Sequence, residues 1–219
     1  MIAALLPVKM FARSKERLGG LFTPVERELL ARAMFEDVWA TLRAARCLDG
    51  LLVISAEPHV LVRCREENVA CWEEAGQHSH SDSVNRATGW AISLGVTSLV
   101  SVAIDTPAVT AEEIATLVGL ARRYAVVVAP SADGSGTNAL ARTPPDAIAP
   151  HFGPGSCERH VREAQAKRLS HLVLPTTGFA ADIDTAEDVE RFLSLGRPCR
   201  TATLLRQFFE ARRGVAVCS

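Results

Sequence analysis

Short apolar runs alternate along this chain with longer segments in which apolar residues recur every three or four positions. The first run, residues 2–8, is almost wholly apolar and opens into a basic loop, the pattern of a strand buried on both faces. A helix is predicted over 23–46, because Thr23-Pro-Val-Glu26 supplies an N-cap, a proline at the first helical position and a capping-box acid. Strands over 51–55, 69–72, 98–104 and 125–129 then alternate with helices over 57–66, 81–94 and 110–124. A turn at 130–135 leads to a strand over 137–142, a Pro-rich loop over 143–154 and a helix over 155–168. Two short strands, 171–175 and 180–183, and a basic amphipathic helix over 201–213 complete the pattern. This alternation predicts an α/β fold with a mainly parallel, mixed central sheet and helices on both faces. Such sheets bind ligands beyond the carboxyl ends of their strands, which is where Lys9, Asp105 and the loop after Ala129 fall.

Length and charge narrow the reading. The 219 residues suit a single domain over 1–219, with 199–219 as a C-terminal helical tail. Hydrophobic residues make up 48%, charged residues 22%, and the formal net charge is -1. That balance offers no general attraction to nucleic acid or to an anionic membrane, so any phosphate chemistry has to be local. No apolar run approaches the roughly 18 to 20 residues of a membrane span, and the N-terminus lacks the features of a secretory leader; a cytoplasmic protein is expected. The six cysteines form no CxxC pair, and scattered reduced thiols are expected. His78 and His80 read as solvated loop residues.

Five stretches carry candidate chemistry. Lys9, Arg13, Lys15 and Arg17 follow the first strand; they are either a solvated basic face or a loop that meets a triphosphate. Neither GxGxxG nor GxxxxGK[ST] is present, which argues against a dinucleotide site and a P-loop. Asp105, ending an apolar strand, either faces a cleft or caps the next helix. The polar turn from Asp133 to Asn138 is a hairpin or a cradle for an anion or a base. His151-Phe-Gly153-Pro-Gly155-Ser156 precedes a helix whose amide groups either bind an anion or are simply capped. Asp182 and Asp184 flank Ile183, so on a strand both carboxylates share one face. Their repulsion is tolerable if both are solvated or if a cation, commonly a divalent metal, lies between them. Thr185 to Asp188 also reads as a capping box, so part of this acidity belongs to a helix start.

In this order the segments resemble the 2-phospho-L-lactate guanylyltransferase family, with its phosphoenolpyruvate and 3-phosphoglycerate variants. Residues 2–192 carry the likeness, most specifically Gly136-Thr-Asn-Ala-Leu140, Phe152-Gly-Pro-Gly-Ser156 and Asp182-Ile-Asp184. The resemblance implies a Rossmann-like nucleotidyltransferase of coenzyme F420 biosynthesis. Such an enzyme moves GMP from GTP to a small phosphorylated three-carbon acid and releases pyrophosphate. It further implies Mg²⁺ held by Asp105, Asp182 and Asp184, and contacts to the phosphoacid from Thr137, Gly153 and Ser156. Lys9, Arg13, Lys15 and Arg17 would meet the triphosphate, Lys15 foremost, and Asn85 the nucleoside. Ser83 and Val84 stand where the family has Gly and Leu before that asparagine. The implied partners are GTP, the phosphoacid and a downstream transferase that takes up a labile product; a homodimer is left open. The alternatives are a related transferase of nucleotide-sugar or molybdenum-cofactor type, or a non-catalytic nucleotide-binding protein.

Overall fold

A computed structural model of the chain describes residues 1–76 and 78–217, with side chains through 213. Its described strands are β1 (Ile2–Val8), β2 (Gly50–Ser55), β3 (Ala70–Glu73), β4 (Ser98–Val102), β5 (Val126–Pro130), β6 (Thr137–Arg142) and β7 (His171–Val173). They form one sheet in the order β3-β2-β1-β4-β6-β5-β7. All neighbours pair parallel except those of β6, which lies antiparallel between β4 and β5. The helices are α1 (Pro24–Ala44), α2 (Pro58–Glu66), α3 (His80–Ser93), α4 (Ala111–Ala121), α5 (Ser156–Ala166), α6 (Ala186–Ser194) and α7 (Arg200–Val217). None in the described residues is long and apolar enough to cross a membrane.

The sheet is covered on both sides, and β1 shows why its sequence is apolar throughout. Ala4, Leu6 and Val8 belong to one core with Met34, Phe35 and Trp39 of α1, while Ala3 and Leu5 point oppositely to Val84, Ala87 and Ala91 of α3. Successive strand side chains serve opposite faces, so a strand covered on both sides has no polar positions to offer. A third cluster packs Val126, Val128 and Leu140 against Cys157 and Ala164 of α5.

Local chemistry starts the helices where the sequence predicts. The Thr23 hydroxyl accepts from the Glu26 amide at 3.3 Å while the Glu26 carboxylate accepts from the Thr23 amide at 2.8 Å, a reciprocal cap that stabilises by about 1 kcal/mol. Thr110 with Glu113 and Thr185 with Asp188 repeat it. The predicted C-terminal helix packs onto its own domain. Asp37, in α1, accepts from the amides of Arg200 and Thr201 at 3.0 and 2.8 Å and so caps α7. Phe208 and Phe209 pack on Phe22 with centroids 5.5 and 6.1 Å away. Residues 218–219 of the predicted tail lie outside the described residues.

Two predicted strands need correction. β4 ends at Val102, so Asp105 lies beyond it in a turn rather than at a strand end. Residues 180–183 form no strand: the Ile183 amide makes one bond to the Asp105 carbonyl, at 3.1 Å, without a continuing ladder. The period-two pattern survives even so. Ala181 and Ile183 are buried, and Asp182 and Asp184 are partly exposed on the other side.

Candidate active site

The loop after β1 makes two 3-10 turns, Phe11–Arg13 and Glu16–Leu18, pinned by the buried side chains of Phe11 and Leu18. Between them Lys15 takes a left-handed conformation with φ 57°, which costs a side-chain-bearing residue roughly 1 kcal/mol. Its ammonium, on a side chain only 7% exposed, donates to Asp105 Oδ2 at 3.0 Å and to Asp184 Oδ1 at 2.7 Å. These ion pairs hold the strained residue in place. They tie together the loop after β1, the turn after β4 and the segment before α6.

That last segment is fixed from two sides. The Glu113 carboxylate accepts from the Gly178 amide at 2.7 Å and, with its other oxygen, from the Thr110 amide at 2.9 Å. A Cβ on Gly178 would strike that carboxylate and come within 2.8 Å of Val109 Cα. Asn138, at the start of β6, donates to the Phe179 carbonyl at 2.7 Å. Asp182 and Asp184 are therefore delivered by a braced loop. They open with Asp105, Thr137, Gly153 and His80 onto a cleft of about 520 Å³.

The charges in this cleft are strongly coupled. Burial pushes Asp182 up to about 6, and the neighbouring Asp105 charge adds to the effect against a hydrogen bond from Asn138. Burial also disfavours the ionised form of Asp105, but the Lys15 ammonium prevails and holds it below the usual carboxylate range. Lys15 is raised in turn: the two carboxylates outweigh the burial of its ammonium. The sequence pattern calls for a cation between Asp182 and Asp184; the lysine instead bridges Asp105 and Asp184. Asp105 Oδ1, buried and without a hydrogen-bond partner, is an oxygen open to a further cation. The donor set is all carboxylate oxygen and suits a hard divalent ion. In the present arrangement no group of three acids among the described residues stands ready to hold a metal.

On the opposite wall, Thr137 begins β6 and Gly153 takes φ 109° in the loop before α5. Ser156 is fully buried, its hydroxyl donating to Thr137 Oγ1 at 3.1 Å. The α5 N-terminus is not the open anion cradle considered from sequence. The Ser156 amide donates to the Gly153 carbonyl at 3.0 Å and the Cys157 amide to the Ser135 carbonyl at 3.1 Å. Arg17 also lines the cleft. Lys9 and Arg13 instead line a neighbouring cavity of about 260 Å³ with Glu74 and Gly76. There Lys9 donates to Ser83 Oγ at 2.5 Å, and Ser83 donates to the buried Glu74 carboxylate at 2.7 Å. Asn85 lies two positions further along α3 and is exposed; the structure does not bring it to either cavity.

Sequence reasoning missed His80. Far from a solvated loop residue, it opens α3 and meets Phe152 edge-on with centroids 4.5 Å apart. Burial lowers it to about 4, against the opposing pull of Asp105. It also missed Glu74; a glutamate one position past a short edge strand gave no signal of burial.

Known proteins resemble this chain over most of its length. The model of a family described as guanylyl transferase CofC like matches residues 2–211. A phosphoenolpyruvate guanylyltransferase of Sphaerobacter thermophilus is 34% identical over 187 residues, 85% of this chain and 90% of that protein. A 2-phospho-L-lactate guanylyltransferase of Methanothermobacter thermautotrophicus is 32% identical, over 93% of this chain and 89% of its own. Among solved structures, a Desulfovibrio desulfuricans G20 protein assigned as a nucleotide-diphospho-sugar transferase superposes with TM-score 0.79 at 19% identity, covering 97% of both chains. A nucleotidyl transferase from Methanothermobacter gives 0.64 at 17% identity, covering 94% of this chain and 99% of that one. These two likenesses bear on the fold alone.

Proposed function

The chain belongs to the CofC-like guanylyl transferase family, and from that premise we propose that it transfers GMP from GTP to a small phosphorylated three-carbon acid. The acids in question are 2-phospholactate, phosphoenolpyruvate and 3-phosphoglycerate, and the pathway is that of coenzyme F420. The observation that carries this reading is the convergence of Lys15, Asp105 and Asp184 in one ion-paired cluster, on a cleft whose far wall is Thr137 and Gly153. Acids and cations gathered at the carboxyl edge of the sheet are what a phosphate-to-phosphate transfer needs. The nucleophile is an already ionised phosphate oxygen, so the protein has no proton to remove.

A phosphate oxygen of the acceptor attacks the α-phosphorus of GTP, the bond to the bridging oxygen breaks, and pyrophosphate leaves. Lys15 and Arg17 at the cleft, with Lys9 and Arg13 from the neighbouring cavity, offset the charge of the triphosphate, and Thr137 orients the acceptor. Mg²⁺, held by Asp105, Asp182 and Asp184, would neutralise charge between the two anions. Catalysis is then positioning plus preorganised electrostatics. The test is product analysis by mass spectrometry with GTP, Mg²⁺ and each phosphoacid alone and in competition. A guanylated acid identifies the acceptor. Pyrophosphate release with none of them means a different acceptor, and no turnover with the downstream transferase present overturns the reading.

A further inference from the structure

His160 is fully buried behind the cleft, and nothing in the reaction above uses it. Its ring lies between Phe152 and His151, with centroids 5.6 and 5.8 Å away. The His151 backbone amide donates to Nε2 at 2.8 Å. That nitrogen must therefore be the unprotonated one, and in a neutral ring the hydrogen sits on Nδ1. Nδ1 lies 3.1 Å from Thr137 Oγ1, so the imidazole donates there.

The consequence follows from counting protons. Thr137 and Ser156 carry one hydroxyl hydrogen each, and the bond from Ser156 to Thr137 takes one of them. With the opposite tautomer, Nδ1 would accept the Thr137 hydrogen and none would remain. With this tautomer the Thr137 oxygen accepts twice, from His160 and from Ser156, and its own hydrogen stays free. Thr137 lines the cleft, whereas Ser156 is sealed behind it. The free hydrogen therefore belongs to the hydroxyl that a ligand can reach.

We propose that His160 is a positioning residue that locks the Thr137 hydroxyl as a donor to the anionic acceptor. Through the His151 amide it couples that polarity to the loop bearing Phe152 and Gly153. The inference rests on the reading that the acceptor phosphoacid lies against Thr137. The taken amides of Ser156 and Cys157 sharpen it: with these two bonded to loop carbonyls, a hydroxyl donor has more to do.

Two measurements test it. Nitrogen-15 NMR of the histidine-labelled protein at neutral pH, which needs no turnover, should show His160 neutral with hydrogen on Nδ1; hydrogen on Nε2, or an imidazolium, overturns the proposal. The kinetic arm compares His160→Asn, whose amide places a donor near the Nδ1 position, with His160→Gln, whose amide reaches only toward Nε2. His160→Gln should lose about tenfold in kcat/KM for the phosphoacid, as expected for one hydrogen bond to a charged group, with the KM for GTP unchanged. His160→Asn should stay within a few-fold of wild type. In a Thr137→Val background the Gln change should cost nothing further. Equal losses from both substitutions, or a matching rise in the KM for GTP, would reveal a merely structural histidine and overturn the proposal. If the wild type guanylates none of the phosphoacids, the acceptor reading fails, while the NMR result still judges the tautomer.

Discussion

Replacing Lys15 by Met keeps most of the side-chain volume and removes one charge, leaving Asp105 and Asp184 facing each other without a counter-ion. Removing one partner of a fully buried pair typically costs about 3 to 5 kcal/mol. Here the side chains of Asp105 and Asp184 are 25% and 40% exposed, so solvent relieves part of the repulsion. A loss of about 2 kcal/mol is expected at neutral pH in metal-free buffer. With an m-value of about 2 kcal/mol/M in urea this is a midpoint shift of about 1 M with the slope unchanged. The double variant Lys15→Met/Asp105→Asn separates charge from packing. It removes the stranded carboxylate and should recover at least half of the loss, a coupling that a double-mutant cycle reads directly. If the two changes simply add, Lys15 does not balance charge in the cleft and the electrostatic account of the site is wrong.

Other perturbations read other parts of the site. Asp182→Asn and Asp184→Asn should each lower the rate of guanylyl transfer by about 100-fold or more while the fold, followed by circular dichroism, is retained; chelation by EDTA should stop turnover of the wild type. Gly178→Ala forces Glu113 away from the loop amide, so both melting temperature and turnover should fall, whereas Gly20→Ala, where a Cβ meets nothing, should change neither. His160 is lowered from 6.5 to about 3 by burial first, then by the charges of His151, Arg142 and Arg159 against the opposing Glu163. The unfolded chain therefore takes up this proton near pH 6.5 while the folded chain resists until about 3, so stability declines as pH falls through that window. Urea midpoints measured across it should decline less steeply for His160→Asn.

Much of this was written in the order of apolar and polar residues, but not all. β1 is legible because a strand covered on both faces needs nearly every position apolar. Residues 180–183 read as a strand for the wrong reason: alternation reports which side chains are buried, and a braced loop over a core alternates as well as a ladder does. Lys15 was legible as a cation but not as the partner of Asp184, 169 residues away. The same holds for Asp37 and α7, joined across 163 positions. His80 was illegible because its burial depends on Phe152, which reaches it only after α3 and the loop before α5 are in place. The helix start after Gly155 could not be judged from composition, since a free amide and one bonded to a nearby carbonyl have the same sequence.

The single reversed strand has a wider meaning for how such a catalyst can change. Because β6 runs against its neighbours, it enters the sheet at the cleft with Thr137 and leaves at the far edge with Arg142, and the chain then returns to the cleft at Phe152 and Gly153. The wall that carries the proposed acceptor contacts is thus one excursion, out and back, over 131–156. Lys15, Asp105 and Asp184 are borne by other segments. On that reading a new acceptor is accommodated by rewriting this stretch, with His160 just behind it, while the charged machinery opposite stays as it is, so selectivity and chemistry can evolve on separate schedules.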